Sequence, residues 1–186
     1  MTANASSTST NSKKRLQNYA YRSLWILFWL IMLMYFFSAS KAPNTAPDLV
    51  FNTLTGSRIE LKALKGRPVL VTFWATDCPS CVAEIPQLID LYQRYHCAGL
   101  EIIAIAMAYD PPNHVLAMSK AKQIPYHVVL DLQSEYAQAF GNVMVTPNTF
   151  LLAPDAGIAS HQLGAFDAER MATQIATYTK DKSCSG

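Results

Sequence analysis

The first strong pattern along this chain is an unbroken apolar and aromatic run from Leu24 to Phe37, set in an uncharged stretch from Ser23 to Ser40 between Arg22 and Lys41. At about 1.5 Å per helical residue the stretch reaches close to the roughly 30 Å of a bilayer's hydrocarbon core, which predicts one membrane-spanning helix over 23–40. Lys13, Lys14, Arg15 and Arg22 precede it without an acidic residue. The positive-inside rule therefore puts residues 1–22 in the cytoplasm, as a disordered Ser-, Thr- and Asn-rich tail, and everything after Lys41 outside. A cleaved secretory signal competes, because Ser38-Ala39-Ser40 offers small residues at a cleavage position. Bulky aromatics up to the end of the run favour a retained anchor, and either outcome exports the rest.

Beyond a linker over 41–46, shorter apolar pieces alternate between strand-like and helix-like rhythm. Leu49–Leu54 and Arg58–Leu61 flank Thr55-Gly56-Ser57 and predict a small hairpin. Pro68–Trp74 and Leu100–Met107 are near-continuous apolar runs, the pattern of strands covered on both faces. A helix is expected from the Cys78 region to about Arg94, with Ile85, Leu88, Ile89 and Tyr92 at helical spacing, and Pro86 should bend it. Pro112–Lys122 predicts a helix, Tyr126–Leu130 a strand and Glu135–Phe140 a short helix. Asn148–Leu152 and Ile158–Leu163 flank Pro154-Asp155-Ala156-Gly157 as a second hairpin, and Asp167 caps a last helix to about Thr179. This order makes residues 47–186 an α/β domain with a central mixed sheet flanked by helices and an amino-terminal hairpin.

Composition adds little to this but excludes something. With 186 residues and 51% hydrophobic content the chain holds one ordinary domain plus extensions. The net charge of +2 lies mostly in the flank of the anchor, and no basic patch suggests nucleic acid.

The candidate chemistry sits directly after the first buried strand, at Cys78-Pro79-Ser80-Cys81. A strand delivering Cys78 to the start of a helix places its sulfur where unpaired N–H groups and the helix dipole favour a thiolate, the nucleophile of disulfide exchange. Cys81, one turn later on the same side, can resolve the mixed disulfide that Cys78 forms. A Cys-x-x-Cys pair is also half of a zinc site, but no second pair follows and the four histidines are ungrouped, so no metal and no cofactor is expected.

The domain from about Ala46 to the last helix resembles the membrane-anchored TlpA/ResA/CcmG group of extracytoplasmic thioredoxin-like thiol-disulfide oxidoreductases. The likeness rests on Ala46-Pro47-Asp48-Leu49, Leu64-Lys65-Gly66-Arg67-Pro68, Phe73-Trp74-Ala75 before the cysteines, Glu84-x-Pro86, Thr146-Pro147-Asn148-Thr149-Phe150 and Asp155-x-Gly157. Two positions depart from the pattern. Asp77 stands where the family usually has Trp, and Ser80 where many members have Pro. A carboxylate beside Cys78 opposes the thiolate, while the Ser80 hydroxyl can donate to it.

The resemblance implies a thioredoxin-like fold in which Glu84 relays the Cys81 proton from a buried position. It also implies a cis Thr146–Pro147 bond facing the dithiol, leaving the Thr146 backbone free to pair with substrate beside Trp74, a core or rim aromatic. It implies a single-pass protein of the cytoplasmic membrane that reduces disulfides of exported proteins or apocytochromes, fed by a membrane electron donor of the DsbD or CcdA kind. A disulfide oxidase or isomerase, or a thioredoxin-fold copper chaperone, are the alternatives; copper-delivering relatives carry Cys-x-x-x-Cys and a partner histidine. In such a fold Cys97 and Cys184 lie far from the dithiol, where they either approach closely enough to bridge or leave Cys184 free on a frayed end.

Overall fold

The computed structural model describes residues 21–22, 24–34, 45–179 and 184. The chain divides into two units, Met1–Ala42 and Pro43–Gly186. In the first, residues 21–22 and 24–34 are helical with exposed side chains. Tyr21 and Arg22 thus belong to a helix and not to the tail expected over 1–22. The remainder of that tail, and residues 23 and 35–40 of the expected anchor, lie outside the described residues. Among those described, no helix is long and apolar enough to cross a membrane.

The second unit starts earlier than its sequence suggests. Thr45 bridges to Gly157, and the Ala46 N–H donates to the Ala156 carbonyl at 2.8 Å, so both residues belong to the domain and not to the linker. A hairpin follows, β1 (Val50–Asn52) pairing antiparallel with β2 (Arg58–Glu60). Gly56 turns it at φ 84°, a conformation that a side chain would strain. After a 3-10 turn the order is β3 (Val69–Trp74), α1 (Pro79–Tyr95), β4 (Glu101–Ala106), α2 (Pro112–Ala121), β5 (His127–Leu130), α3 (Glu135–Ala139), β6 (Asn148–Leu152), β7 (Ile158–Leu163) and α4 (Ala168–Thr179).

The five-stranded sheet has the order β5-β4-β3-β6-β7. β3, β4 and β5 are parallel, and β6 and β7 are antiparallel to their neighbours, so the sheet is mixed. Alternation within the strands builds two cores. Leu70 and Trp74 of β3 join Ile102, Ala104 and Ala106 of β4 beneath α1 and α4, while Val69, Val71 and Phe73 join Ile103 and Ile105 on the face covered by Phe51 and Phe140. Burial of both faces is why these strands read as continuous apolar runs. The one polar pair inside β3 and β6, Thr72 and Thr149, is satisfied internally, with hydroxyls 2.9 Å apart.

Both long helices next to the dithiol have identifiable starts. Cys78 caps α1 by accepting the Cys81 N–H on its sulfur at 3.2 Å, and Pro79 takes the first position, where no N–H is needed. Pro86 lies inside α1, which continues past it to Tyr95. Asp167 Oδ1 accepts the N–H groups of Glu169 at 3.0 Å and Arg170 at 3.2 Å, capping α4 as expected. At the far end of α1 Cys97 and Cys184 form a disulfide with Cα atoms 5.7 Å apart, and the Cys184 N–H donates to the Arg94 carbonyl at 2.6 Å. Of the two outcomes open to these cysteines, the bridge is the one observed.

Candidate active site

The carboxyl ends of β3 and β4 and the amino end of β6 share one edge of the sheet, since Trp74 pairs with Ala106 and Phe73 with Asn148. At that edge β3 passes into α1 through Ala75-Thr76-Asp77, and β6 is entered through Thr146–Pro147, whose peptide bond is cis. Cys78 and Cys81 are joined here as a disulfide, their Cα atoms 5.3 Å apart. The two sulfurs differ in access. Cys81 is 2% exposed, packed with Ile85 and Leu88, whereas Cys78 is only partly buried. Cys78 Sγ also has two polar neighbours, the Cys81 N–H at 3.2 Å and the Ser80 hydroxyl at 3.5 Å. These groups and the positive end of α1 stabilise negative charge on Cys78 once the bridge opens.

Glu84 lies one turn beyond Cys81 and is 4% exposed, with Oε1 accepting the Phe166 N–H at 2.9 Å. Burial pushes its carboxyl above the ordinary carboxylate range, and the Phe166 bond offsets part of that rise. Burial, and after it the Glu84 charge, pushes the Tyr126 hydroxyl up. Trp74 belongs to the same core. It is 4% exposed, its indole N–H has no partner among the described residues, and it therefore presents no face to a substrate. Of the core and rim positions open to Trp74, the structure selects the core, because β3 parity turns Trp74 to the same side as Leu70, under α1.

Asp110 and a ring of exposed apolar side chains escaped sequence reasoning. Asp110, in the loop from β4 to α2, is 3% exposed, and its Oδ2 and Oδ1 accept the Thr76 N–H and the Thr76 hydroxyl, each at 2.6 Å. The available signal was its place just after a parallel strand's carboxyl end, where α/β sites gather. Its neighbour Tyr109 carries a hydroxyl 3.5 Å from Thr146 Oγ1. Tyr109, Met144, Val145 and Leu163 are all more than half exposed, Met144 by 82%. All four flank Thr146–Pro147, for Leu163 pairs with Asn148 and the Gly164 N–H donates to the Pro147 carbonyl. Among the described residues no group of three or more His, Cys, Asp or Glu could hold a metal ion.

An accessible sulfur at a helix start and a buried partner one turn inside make up a thiol-disulfide exchange site. Residues 41–178 match the Redoxin family model. The thiol-disulfide oxidoreductase ResA of Geobacillus thermodenitrificans is 31% identical over 147 residues, 75% of this chain and 83% of the relative. That of Bacillus subtilis is 33% identical over 112 residues, 60% of this chain and 62% of the relative. Among solved structures, a thiol:disulfide interchange protein of Chlorobium tepidum matches with a TM-score of 0.67 at 23% identity, over 75% of this chain and 98% of its own. StoA of Bacillus subtilis matches at 0.61 and 22%, over 70% and 98%, and both likenesses establish the thioredoxin-like fold. The chain belongs to the redoxin family and is a thiol-disulfide oxidoreductase related to ResA.

Proposed function

We propose that this protein is a membrane-tethered, extracytoplasmic protein-disulfide reductase in which Cys78 attacks and Cys81 resolves. The Cys78 thiolate attacks one sulfur of a substrate disulfide, forming a mixed disulfide and releasing one substrate thiolate. Cys81 then gives its proton to the Glu84 carboxylate and attacks Cys78 Sγ. The Cys78–Cys81 bridge forms, the second substrate thiolate leaves, and two electrons have passed to the substrate. The exposed ring of Tyr109, Met144, Val145 and Leu163 suits a polypeptide laid along the Thr146 backbone beside the dithiol. Re-reduction falls to a membrane dithiol donor of the DsbD or CcdA kind, and the exposed apolar helix over 24–34 supports the tether. Disulfide-containing exported proteins, apocytochromes among them, are the substrate class.

The observation that carries the reducing direction is the charge around Cys78. Neither Pro79 nor Ser80 is cationic, and Asp77, Glu84 and Asp110 on the adjoining loops and helix are all acidic. The Cys81 N–H, the Ser80 hydroxyl and the start of α1 hold the thiolate, but no cation adds to them, so the reduced form is favoured less than in a strong oxidant and the dithiol gives its electrons away more readily. The test is the equilibrium reduction potential of the full chain against a glutathione buffer. A potential well below that of the oxidising compartment supports the reductase, and one well above it makes the protein an oxidase.

A further inference from the structure

We infer that Asp110 is a positioning residue for the dithiol, acting through Thr76. The inference rests on the reading of Cys78 as the attacking thiol. Between β3 and α1 the chain reverses in a tight turn, closed by the Cys78 N–H donating to the Ala75 carbonyl at 3.3 Å. The central residues of that turn are Thr76 and Asp77, and their conformation sets where the Cys78 sulfur points. Asp77 is exposed and makes no hydrogen bond among the described residues. Thr76 is held at both of its donors, N–H and hydroxyl, by the two oxygens of Asp110, 34 positions away in sequence. The grip is two-point, so it fixes both the place and the rotation of the turn.

A plainer role for Asp110 would be to cap its own helix, as an acidic residue before a helix commonly does. It does not do so here. The cap position of α2 is Pro111 with no side-chain bond, and neither oxygen of Asp110 meets a donor from its own loop. A carboxylate this buried is costly unless its bonds repay it, and Thr76 supplies the bonds. The loop that presents Asp110 is itself fixed to the sheet edge. The Met107 N–H donates to the Trp74 carbonyl and the Asp110 N–H to the Met107 carbonyl, each at 3.0 Å, and Pro111 and Pro112 stiffen the entry to α2. Through Tyr109 the same loop reaches Thr146, so one short segment references both the cysteine turn and the substrate-side strand. With Thr76 released, Cys78 Sγ loses its fixed aim at the Cys81 N–H and the Ser80 hydroxyl.

The test is a double-mutant cycle on the full chain with Thr76→Val and Asp110→Asn, read as kcat and KM for disulfide reduction at a temperature where every variant is folded. Any effect of the lost Asp110 charge is common to both Thr76 backgrounds and cancels from the coupling. Thr76→Val should lower kcat about tenfold with KM within about twofold, the size expected from losing one charge-assisted bond. In the Asp110→Asn background the same change should cost less than about twofold, and Thr76→Ser, which keeps the hydroxyl, should stay near the parent. Equal effects of Thr76→Val in both backgrounds, or a lowered melting temperature with kcat unchanged, would overturn the inference. Alkylation of the reduced parent, mapped by mass, separates this failure from that of the underlying reading. If Cys81 reacts before Cys78, the nucleophile assignment falls and the inference with it; if Cys78 reacts first and the cycle shows no coupling, only the inference falls.

Discussion

The Phe166 backbone N–H donates to Glu84 Oε1 across 2.9 Å, tying the loop before α4 to the helix that Cys78 caps and that carries Cys81. That bond lowers the Glu84 carboxyl's affinity for a proton, but burial raises it by more. The folded state therefore holds this proton more tightly than the unfolded chain, whose value is near 4.5. Linkage fixes the sign: the stabilisation is complete below the unfolded value and is lost as pH rises through the higher folded one. Glu84→Gln keeps an oxygen for Phe166 and never has to bury a charge. Its melting temperature should gain on the parent's as pH is raised from about 4 to about 8, and a constant gap would mean that the carboxyl is solvated.

The same substitution should slow turnover while leaving the fold intact, because the amide keeps the shape and loses the proton acceptor for Cys81. The expected loss is on the order of 10²-fold in the resolving step. Stopped-flow measurement of mixed-disulfide decay against pH checks it. A decay rate and pH profile matching the parent's would remove Glu84 from the reaction.

Cys81→Ser should trap a mixed disulfide between Cys78 and a substrate protein, since Cys81 is 2% exposed and Cys78 is the more accessible sulfur. Cys78→Ser should trap none. Non-reducing electrophoresis of the two variants after mixing with an oxidised substrate decides the order, and a trap formed only by Cys78→Ser reverses the roles.

Much of this was legible because it is local. The two-sided burial of β3 and β4 appears as continuous apolar runs, the turn into α4 as Asp167 before a helical rhythm, and the dithiol as cysteines at helical spacing behind a strand. The unread parts depend on residues distant in sequence. Nothing near Thr76 announces that both its donors are taken by Asp110, because that contact exists only once β3 and β4 lie side by side. Ser183, Ser185 and Gly186 around Cys184 read as a frayed end, and its contact with Arg94 and Cys97 depends on α4 docking against α1. Trp74 was ambiguous for a related reason: in a strand covered on both faces, the apolar pattern no longer says which side a residue faces.

Asp77→Asn should speed alkylation of the reduced protein at pH 7, because it removes a like charge next to the Cys78 thiolate. Asp77 is exposed, so the gain should be modest, about two- to threefold, and should shrink in 1 M salt as the charge is screened. Iodoacetamide kinetics at low and high salt measure both. A rate unchanged at low salt would mean that Asp77 does not act on the thiol.

Cys97 and Cys184 close a loop of 87 positions, binding the end of α1 to the segment after α4. In the chain-entropy account a loop of this length carries roughly 4–5 kcal/mol, and removal of native bridges more often costs about 2–5 kcal/mol. Replacing both cysteines with Ala should therefore lower the unfolding free energy by about 2–5 kcal/mol in denaturant. Turnover should hold, because the bridge sits at the opposite end of α1 from Cys78, and Met171, Ala172 and Ile175 still pack α4 beneath the sheet. Thiol counting gives an independent check on the bridge itself. With Cys78–Cys81 selectively reduced and the chain then unfolded without further reductant, two thiols are expected, whereas four would mean that Cys97 and Cys184 are unpaired in solution and that the stability of the domain owes nothing to them.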